Sequence, residues 1–227
     1  MITTVLFLLL TISAFWGAKW CYQRKKKYYL SPLLIAPIAI IGVLLVFRSD
    51  YDSYQHGAKW ISYMLQPATV ALAIPLYRYY PILKKHLMEI LISVSLGAIL
   101  SVILSFTFAL LFHLNHHLLS SLIPYSITTP IAMGISDKVG GIPSITAVFV
   151  IITGVMGTVL GPTIIRLFHL KSDISKGILL GISAHGAGTA KALELSKLSG
   201  AVSSVCMILS AIFAYWLSPW IFLAILS

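Results

Sequence analysis

Residues 179–198 read LLGISAHGAGTAKALELSKL. They bring together His185, the small residues Gly186, Ala187 and Gly188, the hydroxyls of Ser183 and Thr189, and the pair Lys191 and Glu194. An imidazole can hold an anion or change its own charge near neutral pH. Glycine lets a backbone come close to a ligand. A helix that restarts after such a break offers unpaired N–H groups and the positive end of its dipole. The set suits a small carboxylate better than a bulky or apolar ligand. Each residue also has a plainer reading. His185 can be a buried histidine bonded to a neighbouring carbonyl, and the small residues can simply allow close helix packing. Lys191 and Glu194 stand three apart on one helical face, where they can pair. As ionisable groups in an apolar segment they are also candidates for gating or coupling.

Two further segments are interrupted in the same way. LQPATVALAIPLY (65–77) carries Gln66, Pro67, Thr69 and Pro75; IPYSITTPIAMGISDKVGGIP (123–143) carries Pro124, Thr128, Thr129, Pro130 and a Gly140-Gly141 turn. Thr128, Thr129, Pro130 and Thr69 join the candidate binding residues. Asp137 and Lys138 read either as gate residues or as a solvated turn. In hydrocarbon an unpaired backbone group costs several kcal/mol, so broken backbone belongs where protein or a water-filled cavity receives it. Breaks at corresponding places point to a substrate site at mid-membrane.

The elements that must position these residues are spanning helices. The chain has 227 residues, 59% hydrophobic and 10% charged, with a mean hydropathy of +0.95. A soluble domain is about a quarter charged, so the composition predicts an all-α polytopic membrane protein forming a single domain over 1–227. No polar stretch is long enough for a soluble catalytic domain. The hydrophobic segments, seven to eight in number, are 2–18, 31–47, 59–76, 88–112, 118–136, 142–168, 177–195 and 201–225, some of them discontinuous or re-entrant. No enzyme is expected: Ser183 and His185 point to different helix faces, and nothing else supports a hydrolase. His113, His116 and His117 lack acidic or cysteine companions, so no metal or other cofactor is expected. Cys21 and Cys206 read as structural.

The net charge of +10 comes from basic residues in short connections, which predicts topology and lipid contact and no nucleic acid. Lys19 and Arg24 to Lys27 follow the first apolar run, predicting a retained span with its amino end outside. FRSDYDSYQHGAKW (47–60) then belongs outside and YRYYPILKKH (77–86) inside. Beyond Leu111 the charges conflict. If 118–136 crosses, Arg166, Lys171 and Lys176 fall outside; if it dips in and returns they fall inside, but Lys191 and Lys197 then end outside. The second version is preferred because SPLLIAPIAII (31–41) echoes IPSITAVFVII (142–152), and ATVALAIPL (68–76) echoes GTAKALEL (188–195). Such echoes suggest inverted repeats over 31–112 and 142–225.

YSITTPIAMGISDKVGGIPSITAVFVIITGVMGTVLGP (125–162) and KGILLGISAHGAGTAKALEL (176–195), with PATVALAIPLYR (67–78) and YDSYQHGAKWI (51–61), resemble the LrgB/CidB family of bacterial membrane proteins over essentially the whole chain. Gly134 departs from the pattern, since many members carry an acidic residue there. The resemblance implies an antiholin-like protein of the bacterial cytoplasmic membrane that modulates murein hydrolase activity and autolysis. It also implies a smaller LrgA/CidA-type membrane partner and an oligomer. Other relatives resemble plastid glycolate and glycerate carriers and bacterial pyruvate facilitators. Together these readings predict a carrier for small monocarboxylates, with His185, Gly186, Gly188 and Thr189 facing Thr128, Thr129 and Pro130. The alternative is a non-transporting regulator acting through membrane assembly.

Overall fold

A computed structural model of the chain describes the backbone of residues 2–25, 31–71 and 73–226, and their side chains apart from 2, 3, 25, 65, 66, 69 and 218–226. Among the described residues every regular element is helical. The helices are α1 (Ile2–Lys25), α2 (Pro32–Val46), α3 (Tyr51–Tyr63), α4 (Leu65–Ala71), α5 (Ala73–Arg78), α6 (Tyr80–Lys85), α7 (Leu87–Leu111), α8 (His116–Leu122), α9 (Thr129–Lys138), α10 (Pro143–Leu167), α11 (Asp173–Leu195) and α12 (Lys197–Leu226). Four of them contain stretches long and apolar enough to cross a membrane: Thr4–Arg24, Leu87–Leu111, Pro143–Leu167 and Lys197–Leu217. The seven to eight expected segments thus become four such helices and several shorter ones, among them the 15-residue α2.

The chain forms two compact units, Met1–Ala73 and Ile74–Ser227. In the first, α1 packs against α2 and α3. Gly57 of α3 lies on the first turns of α1, where a Cβ would stand 2.7 Å from the Thr4 carbonyl, and Thr11 Oγ1 meets the Tyr54 hydroxyl at 3.2 Å. The expected span 59–76 falls on α3, α4 and α5, with a break at Met64 between the first two.

The second unit holds the two long broken motifs, and both fold back on themselves. In α11 the helix breaks at His185 (φ 37°, ψ −120°). Before the break the chain runs parallel to α12: Gly177 lies on Val202, and Gly181 lies on Ser203 and Cys206. After it the chain returns: Thr189 Oγ1 meets Ser203 Oγ at 2.9 Å, and Gly200 is pressed onto Leu193. Gly181 and Thr189 therefore reach the same level of α12, which only a hairpin allows. Its mouth is tied by Ser199 Oγ, which donates to the Asp173 carbonyl at 2.9 Å. Hydrogen bonds from Ser196 and Lys176 also hold the Asp173 carboxyl below its ordinary range. A carboxyl so lowered favours the tied mouth at neutral pH and stops doing so as acid protonates it.

The segment 116–138 also makes a hairpin, the first of the two in chain order, with that of α11 the second. His117 Nδ1 stands 2.7 Å from the Gly140 carbonyl, the Ile142 amide donates to Ser121 Oγ at 2.7 Å, and Thr146 donates to Ser136 Oγ at 2.7 Å. So α8, extended by a 3-10 turn at Ile123–Ser126, enters beside the start of α10. After Ile127 and Thr128, α9 returns to the same end. The inward arm of α11 instead runs antiparallel to α10: Gly161 lies on Leu180, Gly157 on Ala184 and Gly154 on His185. The two hairpins therefore enter from opposite ends of the bundle. Each follows a 25-residue helix, α7 or α10, and each of those helices ends in LFHL, at 111–114 and 167–170. The histidines His113 and His169 both take positive φ, near 50°, and the next amides bond back to Ala109 and Ile165, closing the helix ends alike.

This double fold-back removes the charge conflict. With both motifs returning, Lys84, Lys85, Arg166, Lys171, Lys176 and Lys197 gather at one end of the unit and Lys138 lies at the other. Cysteines replacing Lys171 and Lys197 should react with an impermeant maleimide from one face of the membrane, and a cysteine replacing Lys138 from the opposite face. Labelling of positions 171 and 197 from different faces would contradict the hairpin in α11.

Candidate functional site

The hairpin tips meet halfway along α10. Ile127, at the tip of the first hairpin, packs with Ala132, Ile135 and Val150. His185, at the tip of the second, lies over Gly154: a Cβ there would stand 3.2 Å from His185 Cε1 and 3.3 Å from Ala187 Cβ. Val150 and Gly154 are one turn apart, about 6 Å along the axis at about 1.5 Å per residue. Each tip turns into the N-terminus of a returning half-helix, 186–195 or α9, and the first amides of a helix have no partner in a preceding turn of that helix.

His185 is the unusual residue. It is 6% exposed and its Nε2 is buried without a hydrogen-bond partner. A buried polar nitrogen left unpaired costs about 1–3 kcal/mol. Its backbone also occupies a region with positive φ and strongly negative ψ, which glycine adopts most easily. A side chain there costs a further 1–3 kcal/mol or so. Structure alone would favour glycine at this position.

The neighbouring glycines divide by role. A Cβ on Gly188 would run into the Leu180 carbonyl and the Ala184 side chain, so its lack of a side chain is what lets the two arms touch. Gly186 is exposed, and nothing lies within 4 Å of a Cβ built there, which leaves its amide approachable.

The other candidate residues are placed as follows. Thr189 is buried and bonded to Ser203, with Met207 Sδ at 4.0 Å, so its hydroxyl faces α12. Ser183 donates to the Leu179 carbonyl of its own helix at 2.6 Å. Lys191 and Glu194 pair with each other at 2.7 Å near the hairpin mouth. In the first hairpin Thr128 is the N-cap of α9 and makes no side-chain cap bond, leaving that end of α9 uncapped. Thr129 and Pro130 form its first turn, partly buried and exposed respectively. Asp137 is exposed at the far end of α9, and Lys138 Nζ lies 5.0 Å over the Tyr215 ring. The side chain of Thr69 lies outside the described residues, as do those of Lys25, Lys26 and Lys27. Among the described residues no three His, Cys, Asp or Glu side chains gather where a metal could bind.

Beside the first tip, between α7 and α12, is a cavity of about 30 Å³ lined by Ser101, Ser126, Ser210, Pro124, Ile127 and Ile182 among others. Ser101 Oγ donates to Ser126 Oγ at 2.9 Å. Sequence reading did not single out these serines, nor Gly154. The repeated LFHL was the available signal, because it marks two corresponding helix–hairpin units whose tips converge.

A helical membrane protein with two broken hairpins entering from opposite ends belongs among polytopic proteins that enclose polar backbone within the bundle. The chain belongs to the LrgB-like family, whose model matches residues 11–224. It is similar to the Bacillus subtilis protein YwbG, 48% identical over 217 residues and 96% of each chain. It is also similar to the holin-like protein CidB of Staphylococcus epidermidis, 40% identical over 215 residues, 95% of this chain and 94% of that one. The holin-like protein CidB of Staphylococcus aureus is 36% identical over 218 residues, 96% of this chain and 95% of that one. No solved structure matches the chain.

Gly188→Ala should lower thermal stability by about 2–4 kcal/mol, because the new methyl group meets backbone and cannot be accommodated by rotation. Gly186→Ala should change stability by less than about 1 kcal/mol. Thermal unfolding of the two variants in the same detergent checks the contrast.

Proposed function

We propose that the chain carries small monocarboxylates of the pyruvate or glycolate type across the bacterial cytoplasmic membrane, and that this flux is how it modulates murein hydrolase activity and autolysis. The observation that carries the reading is His185: a strained, buried imidazole with an orphan Nε2, at the start of the returning half-helix. Nε2–H and the amides of Gly186 to Gly188 would hold a carboxylate, and the start of α9 with Thr128, Thr129 and Pro130 would face it. Donors of this kind bind one negative charge without a buried arginine. Arms of about 15–18 Å, at about 1.5 Å per residue, would place both tips near the middle of a hydrocarbon core of about 30 Å. One hairpin would then approach the site from each side of the membrane, as alternating access requires. The basic end of Ile74–Ser227 would face the cytoplasm, and the first helix would begin outside. A smaller LrgA/CidA-type protein is the expected partner in an oligomer.

The name of the staphylococcal relatives, holin-like protein CidB, favours a second reading. In it the chain tunes lysis through membrane assembly and moves no solute. The two readings differ over His185. In a regulator the residue is only a strained packing element, and His185→Gly should be harmless or beneficial.

Uptake of labelled pyruvate and glycolate into proteoliposomes, with and without the smaller partner, separates them. For His185→Gly the relief of backbone strain should offset the lost ring contacts, leaving stability within about 2 kcal/mol of the parent. Saturable uptake should fall at least about tenfold in the same variant. Equal uptake by parent and variant would remove His185 from the site. No uptake by the parent in any combination, with the partner complex intact, would favour the regulator.

A further inference from the structure

The cavity beside the first hairpin tip is separate from the imidazole. Ile182 of α11 lines it from the face turned to α7, where Gly97 would place a Cβ 2.6 Å from the Ile182 methyl. His185 instead faces α10 through Gly154. Three serines line the cavity from three elements: Ser101 of α7, Ser126 at the end of the 3-10 turn and Ser210 of α12, with Ser101 Oγ donating to Ser126 Oγ at 2.9 Å. Ser101 and Ser210 are only 7% and 6% exposed. Ile123, Pro124, Ser126 and Ile127, which end the inward arm of the hairpin, also line it. The inward arm ends here, since Pro124 leaves helical geometry (ψ 19°) and Ile127 is extended. An arm that stops without a continuing helix presents its last carbonyls, and with them the negative end of its dipole. The side chains lining the cavity, among the described residues, include no Asp, Glu, His or Cys.

We propose that this cavity is a binding site for a monovalent cation of sodium size, held by the Ser101, Ser126 and Ser210 hydroxyls and the terminal carbonyls of the 3-10 turn. The volume of about 30 Å³ admits one or two water-sized groups, enough for a small ion with a single water. Neutral oxygen donors suit a hard monovalent ion. A divalent ion would call for carboxylates, and zinc for nitrogen or sulfur. The pairing of half-helix ends has a consequence that rests on the carrier reading. Exposed carbonyls would attract a cation at one hairpin tip while exposed amides attract a carboxylate at the other. Cation and anion together form a neutral cargo in a medium where a lone charge is costly to place. The ion would therefore be the coupling ion for the carboxylate.

Binding and coupling are tested separately. Thermal unfolding of the purified full chain in detergent is measured in sodium, lithium, potassium and choline chloride at equal ionic strength. Sodium should raise the midpoint by about 3–6 °C over choline at concentrations about tenfold above Kd. The rise should be lost in Ser126→Ala and reduced in Ser210→Ala. Identical midpoints in all four salts would overturn the site, leaving a cavity that holds water only. A sodium shift that survives in both variants would also overturn it by placing the ion elsewhere. None of these outcomes depends on transport, so a chain that moves no carboxylate still answers the question of binding. If uptake occurs, replacing sodium by choline should reduce it at least about tenfold; unchanged uptake would overturn the coupling role.

Discussion

The hydrogen-bonding demand of the backbone governs this architecture. A peptide group removed from water must find a partner or be enclosed, yet the chain interrupts its helices at Pro124, at Ile127 and at His185. The broken ends are tolerable only because other helices close around them. α10 takes part in that enclosure at both tips, through Val150 at one and Gly154 at the other. Glycines make the closeness possible: Gly154, Gly157 and Gly161 of α10 let the inward arm of α11 lie directly on its backbone. Side chains at those positions would push the arm away and open the orphan amides to lipid.

Enclosure makes the two tips alike in construction, and the proposed anion and cation sites would make them opposite in charge preference. Each tip has an arriving half-helix that ends in free carbonyls and a returning one that begins with free amides. At the α11 tip Gly186 is exposed, with the buried imidazole of His185 beside it. At the first tip the arriving end with Ser126 lines the cavity, together with Ser101 of α7 and Ser210 of α12. The same motif, entering from opposite ends, can therefore offer an anion-attracting pole and a cation-attracting pole at one level of the bundle.

His185 carries a local penalty of two kinds. Strain and an unpaired nitrogen both weigh against folding, and a glycine would remove both. Under the proposed carrier this penalty at the meeting point of two hairpins would serve ligand binding, whereas in a non-transporting regulator it would remain a packing cost. Thr189, by contrast, is satisfied by Ser203, and Lys191 and Glu194 satisfy each other. The polar residues flanking His185 are thus mostly absorbed into holding the hairpin shut, and the imidazole is left over.

Composition and periodicity by themselves determined the helical membrane class and the segments in which breaks fall, because burying backbone in an apolar medium imposes helices and penalises Pro and Gly clusters wherever they fall; that only four helices are long and apolar enough to cross was decided by the structure. The motifs also determined the family. Two further matters were left to the tertiary structure. One was direction: a broken apolar segment of 23 residues such as α11 can cross or return, and the contacts of Gly181 and Thr189 with one level of α12 decide that it returns. The second hairpin then gathers Lys171, Lys176 and Lys197 at one end, which charge counting along the sequence could not arrange while it treated 177–195 as a crossing. The other matter was partnership. Ser101, Ser126 and Ser210 are far apart in sequence and individually unremarked in apolar helices, so their convergence exists only once the hairpin seats between α7 and α12. Local propensity acts between near neighbours in the chain, whereas a site depends on which distant surfaces packing brings together.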